Sequence, residues 1–440
     1  MLKKAVLGWP QVAGLGVSLV IAGQFSGWNY GLASNGWVNM LIATLLMAAL
    51  CGGLSLCVAE LSTARPDAGG VFAYAQQAFG PFVGYLVGSA CALALIIGTG
   101  VAATFVCAYT QSVFGLGGWP VKLALFAAVI GIHIRGVGEA LGLTLLAAIG
   151  AAAALLAFGI AMWPHVQLER LLPTSSSLAD SVSLAGVFGC IPFAIWLFIT
   201  LEQVGTAAEE AADPGRSMPR GVIAALATLV LTAMTVLVCA PGAGGLEAVG
   251  NADDPLYAAI TATHAFGADS LLNWVVGGGA VFGLIATFFS LVYSSSRQLY
   301  AMARDGHFFA PLARTGKRGT PIAALLTIAA IGLPVSMLPA QKMLLAIVLL
   351  LSLCYVIIFA AYLRIRLSNP NATRPFSVPC GPLVACIGMA LTLVVIAACF
   401  QLDSWMLLAL GATLAVLMLN YRLRRRASAT TSLTQVLDHV

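Results

Sequence analysis

Glu202 is the one carboxylate of this 440-residue chain that neither a polar loop nor a helix end claims. It closes the stretch Pro192-Phe193-Ala194-Ile195-Trp196-Leu197-Phe198-Ile199-Thr200-Leu201-Glu202, an apolar run that Pro192 must perturb. A carboxylate in such surroundings is either an ion- or proton-handling group or an acceptor that caps an interrupted helix. A second polar cluster lies in Ala22-Gly23-Gln24-Phe25-Ser26-Gly27-Trp28-Asn29-Tyr30-Gly31. Its three glycines lower the cost of leaving helical geometry, while Gln24, Ser26 and Asn29 bring donors and acceptors. The Gly23-to-Gly27 spacing equally fits a close contact between helices through small residues. Thr99, between Gly98 and Gly100, is a third polar position, with packing as its competing role. These groups suit recognition of a small polar molecule. Carbonyls at two helix breaks accept hydrogen bonds from an ammonium without carrying formal charge. Trp28, Trp196 or Phe198 offers the same cation an aromatic face, although each ring also suits plain packing.

Bond-making chemistry has little to stand on. The chain carries no GxxxxGK[ST] phosphate loop and no HExxH pair. His133, His165, His264, His307 and His439 fall at the ends of apolar segments or in loops. The ten cysteines stand mostly alone in apolar runs (Cys91, Cys107, Cys239, Cys354, Cys399), without CxxC, and read as small core residues. No enzyme activity, cofactor or metal is expected.

The elements that must position these groups are set by composition. Apolar residues make up 60% of the chain and charged residues 8%, against about 25% in soluble domains, and the mean hydropathy is +0.97. A soluble enzyme, a secreted disulfide scaffold and a disordered chain are excluded. The apolar runs are continuous rather than alternating, which points to helices and not to a transmembrane barrel. They fall at about 11–33, 37–61, 81–112, 121–135, 139–163, 184–204, 220–240, 270–297, 320–338, 342–364, 382–401 and 404–422. The expected fold is therefore all-α and integral to the membrane, with twelve transmembrane helices in a single domain over 1–440. The longest connections, 164–183, 241–269 and 298–319, leave no room for an aqueous domain. Met1 to Trp9 holds two lysines and leads into the first span without a small-residue cleavage site, so that span is expected to be retained.

Lysine and arginine favour the cytoplasmic side. With twelve spans, eighteen of them fall on the face of the termini (Arg135, Arg216, Arg297 and Arg366 among them), and only Lys122, Arg170 and Lys342 fall opposite. Both termini are thus expected in the cytoplasm, with the protein in the inner (cytoplasmic) membrane and in contact with lipid. The net charge of +5 is then topology and implies no nucleic acid partner. The two polar interruptions open spans one and six, which are matching positions of two five-span halves. Interrupted segments so placed point to an inverted-repeat transporter with a site near the membrane midplane. A channel would call for a repeated pore element or a ring-forming polar loop, and neither is evident.

The loop sequences carry a resemblance. Glu60-Leu61-Ser62-Thr63-Ala64-Arg65-Pro66-Asp67-Ala68-Gly69-Gly70, with Tyr74 and Phe79-Gly80-Pro81, resembles the second-to-third span signature of the amino acid–polyamine–organocation (APC) superfamily. Four further stretches agree in order: Arg135-Gly136-Val137; Ala208-Glu209-Glu210 with Pro214, Arg216, Pro219 and Arg220; Ser296 to Gly306; and Arg374-Pro375-Phe376-Ser377-Val378-Pro379. Within the superfamily, Ser26-Gly27-Trp28-Asn29-Tyr30-Gly31-Leu32 and Ile42 to Ala48 are most similar to the ethanolamine permease branch.

The resemblance implies two inverted five-helix repeats (1–163 and 184–364), two peripheral helices (382–422), a cytoplasmic tail (423–440) and transport by alternating access. It places substrate where helices 1 and 6 unwind, against Gly23, Gln24, Phe25, Ser26, Gly27, Trp28, Thr99, Trp196, Phe198 and Thr200. Amino acid permeases of this kind hold the substrate carboxylate on span-one amides of a Gly-Ser-Gly stretch. Phe25 replaces the first of those glycines here, which implies a narrowed anion site better suited to the hydroxyl of ethanolamine. A permease for small neutral amino acids and a non-transporting nutrient sensor are the alternatives. Some relatives couple protons through a span-five lysine, and 140–163 contains no Lys or Arg. Glu202 is then the expected coupling group for proton symport or exchange. A sodium site between spans one and eight would draw on Thr287 and Ser290. Among the loop charges, Glu60, Arg65, Glu209, Glu210, Arg216, Arg220, Arg297, Arg304 and Asp305 are expected to include pairs that close the cytoplasmic gate.

Overall fold

The computed structural model describes residues 8–64, 70–135, 140–172, 181–267, 270–316, 319–369, 372 and 374–437, with all of their side chains except 140–145, 206, 209, 210 and 424–437. Arg65, Gly136 and Val137, together with the side chains of Glu209 and Glu210, lie outside the described residues. Every regular element among the described residues is a helix, because a chain in hydrocarbon must satisfy its backbone within itself.

Twelve of these helices have twelve residues or more: α1 (Trp9–Val20), α2 (Trp37–Ala64), α3 (Pro81–Phe114), α4 (Trp119–Arg135), α5 (Ala140–Met162), α6 (Leu184–Trp196), α7 (Pro214–Gly244), α8 (Leu271–Arg304), α9 (Ile322–Val335), α10 (Ala340–Ser368), α11 (Gly381–Ala398) and α12 (Ser404–Leu437). Nine segments among the described residues are long and apolar enough to cross a membrane, while α1 and α9 are apolar but short. The chain is a multi-pass membrane protein. Its outward surface bears large apolar side chains such as Ile160, Leu184, Leu408 and Val416, as contact with lipid demands. α12 is the most peripheral of the nine, with 6% of its apolar window buried.

α1 stops short for local reasons. A single turn, Ala22–Phe25, follows it. Ser26 then extends (φ −154°, ψ 155°), and Gly27 takes φ +98°, a left-handed value that a side chain disfavours. A 3₁₀ turn at Trp28–Gly31 and a helical turn at Leu32–Asn35 complete the segment. α6 begins with Ser183 accepting the Gly186 N–H at 2.9 Å, carries Pro192 inside, and ends at Trp196. Thr200 lies in the left-handed region (φ 73°), and Leu201–Glu210 continues as 3₁₀ helix.

Packing places both interruptions at the centre. α3 and α8 pack together, as do α2 and α7, and α4 and α9. α1 lies on α7 and α6 on α2; α8 lies on α5 and α3 on α10. When five is added to or subtracted from the helix numbers, the first three pairs map onto themselves and the last four exchange in twos. The 3₁₀ segment after Thr200 packs on α1, which brings the two interruptions together.

Candidate functional site

The two interrupted backbones meet at Gly23 and Trp196. A Cβ on Gly23 would stand 2.6 Å from the Trp196 carbonyl oxygen, closer than any side chain permits, so only glycine allows this approach. A Cβ on Gly27 would stand 2.6 Å from Trp196 Nε1. That indole instead donates to the Ser26 carbonyl at 3.0 Å. Gln24 Nε2 donates to the Leu197 carbonyl at 2.9 Å, so the Gln24 side chain of the first break is fixed to the backbone of the second. Gln24 Oε1 is fully buried and has no hydrogen-bond partner among the described residues. A buried acceptor left unpaired costs about 1–3 kcal/mol.

Beside this meeting point lies a cavity of about 40 Å³. Gly23, Trp196, Thr200 and Thr287 bring its polar edges, and Leu95, Phe105, Ile199, Leu291, Ile347 and Leu351 give it an apolar wall without any charged side chain. A larger recess of about 380 Å³, lined by Tyr30, Ser34, Asn251, Asp253 and Gln341, is a separate space that none of the sequence-predicted site residues lines.

Of the ten residues expected at the site, the cavity wall takes in Gly23, Trp196 and Thr200. Gln24, Ser26, Gly27 and Trp28 belong to the same break without facing the cavity, and the Trp28 indole donates to the Gln24 carbonyl at 3.1 Å. Phe25 is fully buried but off the wall. Its ring meets Tyr109 edge-on at 6.2 Å and lies against Gly283 of α8, and its carbonyl accepts from the Tyr109 hydroxyl at 2.9 Å. The ring is thus spent on packing instead of narrowing the cavity. Thr99 donates to the Ile96 carbonyl at 2.7 Å and lies against Gly332 of α9, and Phe198 is buried off the wall.

Glu202 is 3% exposed, and no cation pairs with it among the described residues. Its carboxylate accepts from the Tyr355 hydroxyl at 2.9 Å and from Gln203 Nε2 at 3.0 Å. The Tyr355 oxygen in turn accepts the Thr200 N–H at 3.3 Å, so one hydroxyl joins the Glu202 carboxylate to the Thr200 backbone of the same break. Thr200 Oγ1 reaches the Leu19 carbonyl at 3.2 Å, and Thr287 Oγ1 donates to the Ser18 carbonyl at 3.1 Å. Ser290 donates within its own helix, to Ala286. Sequence reasoning passed over Tyr355, whose only sign was a phenol inside an apolar run.

The loop charges are arranged differently from expectation. Glu60 pairs with Arg366 at 2.7 Å and Arg374 at 3.2 Å, neither of them in the expected gating set. It also accepts from the Tyr362 hydroxyl and the Val378 N–H, each at 2.8 Å. Arg216, in the first turn of α7, and Arg304, the last residue of α8, pair with their near neighbours Asp213 and Asp305.

Fold and site define a class: a polytopic helical membrane protein whose polar centre lies inside the helix bundle, where two interrupted helices touch. The family described as "Amino acid permease" matches residues 7–417, and the chain belongs to that family. It is 29% identical over 316 residues to an uncharacterized transporter of Rhizobium meliloti, covering 68% of this chain and 65% of that one. It is 27% identical over 320 residues to the methylthioribose transporter of Bacillus subtilis (68% and 66% covered), and 23% identical over 336 residues to the branched-chain amino acid permease BcaP of Lactococcus lactis (71% and 69%). The matched stretch is thus just under two thirds of the first two relatives' length.

Proposed function

We propose that this permease is a secondary active transporter that moves a small amine, ethanolamine first among candidates, across the cytoplasmic membrane by alternating access. The observation that carries the reading is the contact between Gly23 and the Trp196 carbonyl, with the unpaired Gln24 Oε1 beside it. Two interrupted helices meeting at mid-bundle give carbonyl acceptors for an ammonium and, with Trp196, an aromatic ring at the cavity wall. The cavity wall holds no charged side chain of either sign, so an ammonium there would rest on these carbonyls and on the Trp196 ring. The neighbour relations among α1 to α10 support two inverted five-helix repeats, with α11 and α12 peripheral. The distribution of Lys and Arg supports twelve spans and cytoplasmic termini.

Proton symport or exchange is the proposed coupling, with Glu202 as the titrating group. The Thr287 hydroxyl donates to the Ser18 carbonyl and Ser290 to its own helix, bonds that a sodium ion between α1 and α8 would have to share or displace. A second reading, a permease for small neutral amino acids, is favoured by the aliphatic wall of Leu95, Ile199, Leu291, Ile347 and Leu351.

Uptake of labelled ethanolamine and labelled alanine into proteoliposomes, with and without an inward proton gradient, separates the readings. Ethanolamine flux that alanine does not compete with is the expected result. Alanine flux supports the second reading, and binding without flux of either identifies a sensor on the same fold.

A further inference from the structure

One side chain of the first break holds another part of the molecule across it. Asn29 is fully buried in the Trp28–Gly31 turn. Its Oδ1 accepts the Gly27 N–H at 3.0 Å. Its Nδ2 donates to the carbonyls of Val249 and Ala252, both at 2.8 Å, and more weakly to Gly250 at 3.4 Å. A carboxamide offers two N–H donors, and here both are spent on the 249–252 turn between α7 and α8. Other groups hold the same segment down. Ser26 Oγ donates to the Asp253 carbonyl at 2.8 Å, the Tyr30 hydroxyl donates to the Asp253 carboxylate, and Ser112 of α3 donates to the Asp254 carboxylate. Alone among these side chains, Asn29 also grips a backbone amide of the break.

We propose that Asn29 is a positioning residue that couples the geometry of the break at Gly27 to closure of the segment 245–254 over that end of the site. The inference rests on the transport reading. The planar carboxamide is rigid, so its oxygen and nitrogen cannot move independently. A substrate in the cavity beside Gly23 and Trp196 that displaces the Gly27 backbone carries Oδ1 with it and swings Nδ2 off the 249–252 carbonyls. The geometry at Gly27 and closure of 245–254 are thereby linked, and the linkage is reciprocal. The fourfold spending of one side chain on two distant segments is more than packing requires: Asn29 and Val249 are 220 residues apart in sequence.

A hydrogen-exchange cycle on the full chain in lipid nanodiscs tests this without any ligand. Peptides covering 22–30 and 246–254 are followed in wild type, Asn29→Ala, Trp196→Phe and the double variant. Trp196→Phe removes the indole bond to the Ser26 carbonyl and so disturbs the break alone. Asn29→Ala should speed exchange in both peptides, by about tenfold or more in 246–254, where its two full-strength bonds are lost. Trp196→Phe should speed exchange in 246–254 when Asn29 is present and add nothing there when Asn29 is absent, a non-additivity that marks coupling. Additive effects, or a Trp196→Phe effect confined to 22–30, overturn the proposal. If Asn29→Ala does not fold, the cycle is run with Asn29→Asp, which keeps the acceptor for Gly27 and loses the donors to 249–252. It must show the same loss of transmission, and intact transmission overturns the proposal. Because the readout is exchange and not flux, a failure of the uptake assay bears on the transport reading and leaves this result standing apart.

Discussion

Gly27 shows how a single residue type decides whether the site exists. Its φ of +98° excludes most side chains, and a Cβ there would meet Trp196 Nε1 at 2.6 Å and Leu344 Cδ1 at 2.8 Å. Gly27→Ala therefore forces both the backbone and the indole to move, and left-handed geometry alone costs a residue about 1–2 kcal/mol. Uptake by Gly27→Ala protein should fall at least tenfold while the protein still reconstitutes; full activity would show that the break does not bind substrate. Thr200 also takes a positive φ without being glycine, and its hydroxyl bond to the Leu19 carbonyl ties that turn to the end of α1, just before the other break. Glu202 is the other residue-scale test. Glu202→Gln keeps an acceptor for the Tyr355 hydroxyl but cannot carry a proton on and off. If Glu202 couples transport to protons, the variant loses the acceleration of uptake by an inward proton gradient. Retention of that acceleration assigns the carboxylate a structural role.

At the scale of elements, two connections stand out. In the α7–α8 connection, burial pushes the Asp254 carboxyl above the usual aspartate range; the Ser112 hydroxyl opposes the shift and nearby Asp253 adds to it. Tyr30 and Tyr109 are the other titratable groups that feel it. A carboxyl whose pKa is raised in the closed form binds a proton more readily closed than open. Its contribution to closure is fully present below the ordinary aspartate value and is lost as pH rises through the raised value. Exchange in 246–254, corrected for the intrinsic chemical rate, should therefore slow on acidification from neutral pH, and Asp254→Asn should remove that dependence. The second connection is the Glu60 cluster, which ties α2 to α10 and to 374–378. Removing one partner of a buried ion pair leaves the other charge uncompensated. Glu60→Gln is expected to destabilise the fold by about 3 kcal/mol, the low end because the Arg366 and Arg374 side chains remain 20% and 14% exposed. Thermal unfolding in detergent measures this, and an unchanged midpoint would make the cluster a loop anchor of no energetic weight.

At the scale of the whole molecule, the arrangement of charges predicts orientation. On the proposed twelve-span topology, the Glu60 cluster and Arg304 fall on the densely basic face, whereas Lys122, Arg170 and Lys342 fall on the other and make local contacts. The Lys122 ammonium bonds the Ser336 carbonyl and Thr104, Arg170 the Ala243 carbonyl, and Lys342 pairs with Asp403. With only these three cations against eighteen on the other, the sparse face offers little positive charge to hold it back during insertion. A cysteine introduced at Gly306 should react with a membrane-impermeant thiol reagent only after the cytoplasmic side is opened, and one at Asn251 should react in intact cells. The reverse pattern would invert the topology.

The sequence by itself determined the solvent of this protein and the places where its helices fail. Long apolar runs with few charges allow only helices in a bilayer, and glycine, proline and isolated polar residues mark local weaknesses that need no knowledge of neighbours. The breaks at 22–31 and 196–202 were legible for that reason. Which side chains face the cavity was not legible. Phe25 and Thr99 stand at suggestive positions, yet their faces are taken by Tyr109 and Gly283 and by Gly332, on helices far away in the chain. Tyr355 meets Glu202 across 153 residues, Thr287 meets Ser18 across 269, and Asn29 meets the 249–252 turn across 220 or more. Hydrogen bonds are short and directional, so partners at such separations are chosen only once the helices have packed. Tertiary structure alone decided them.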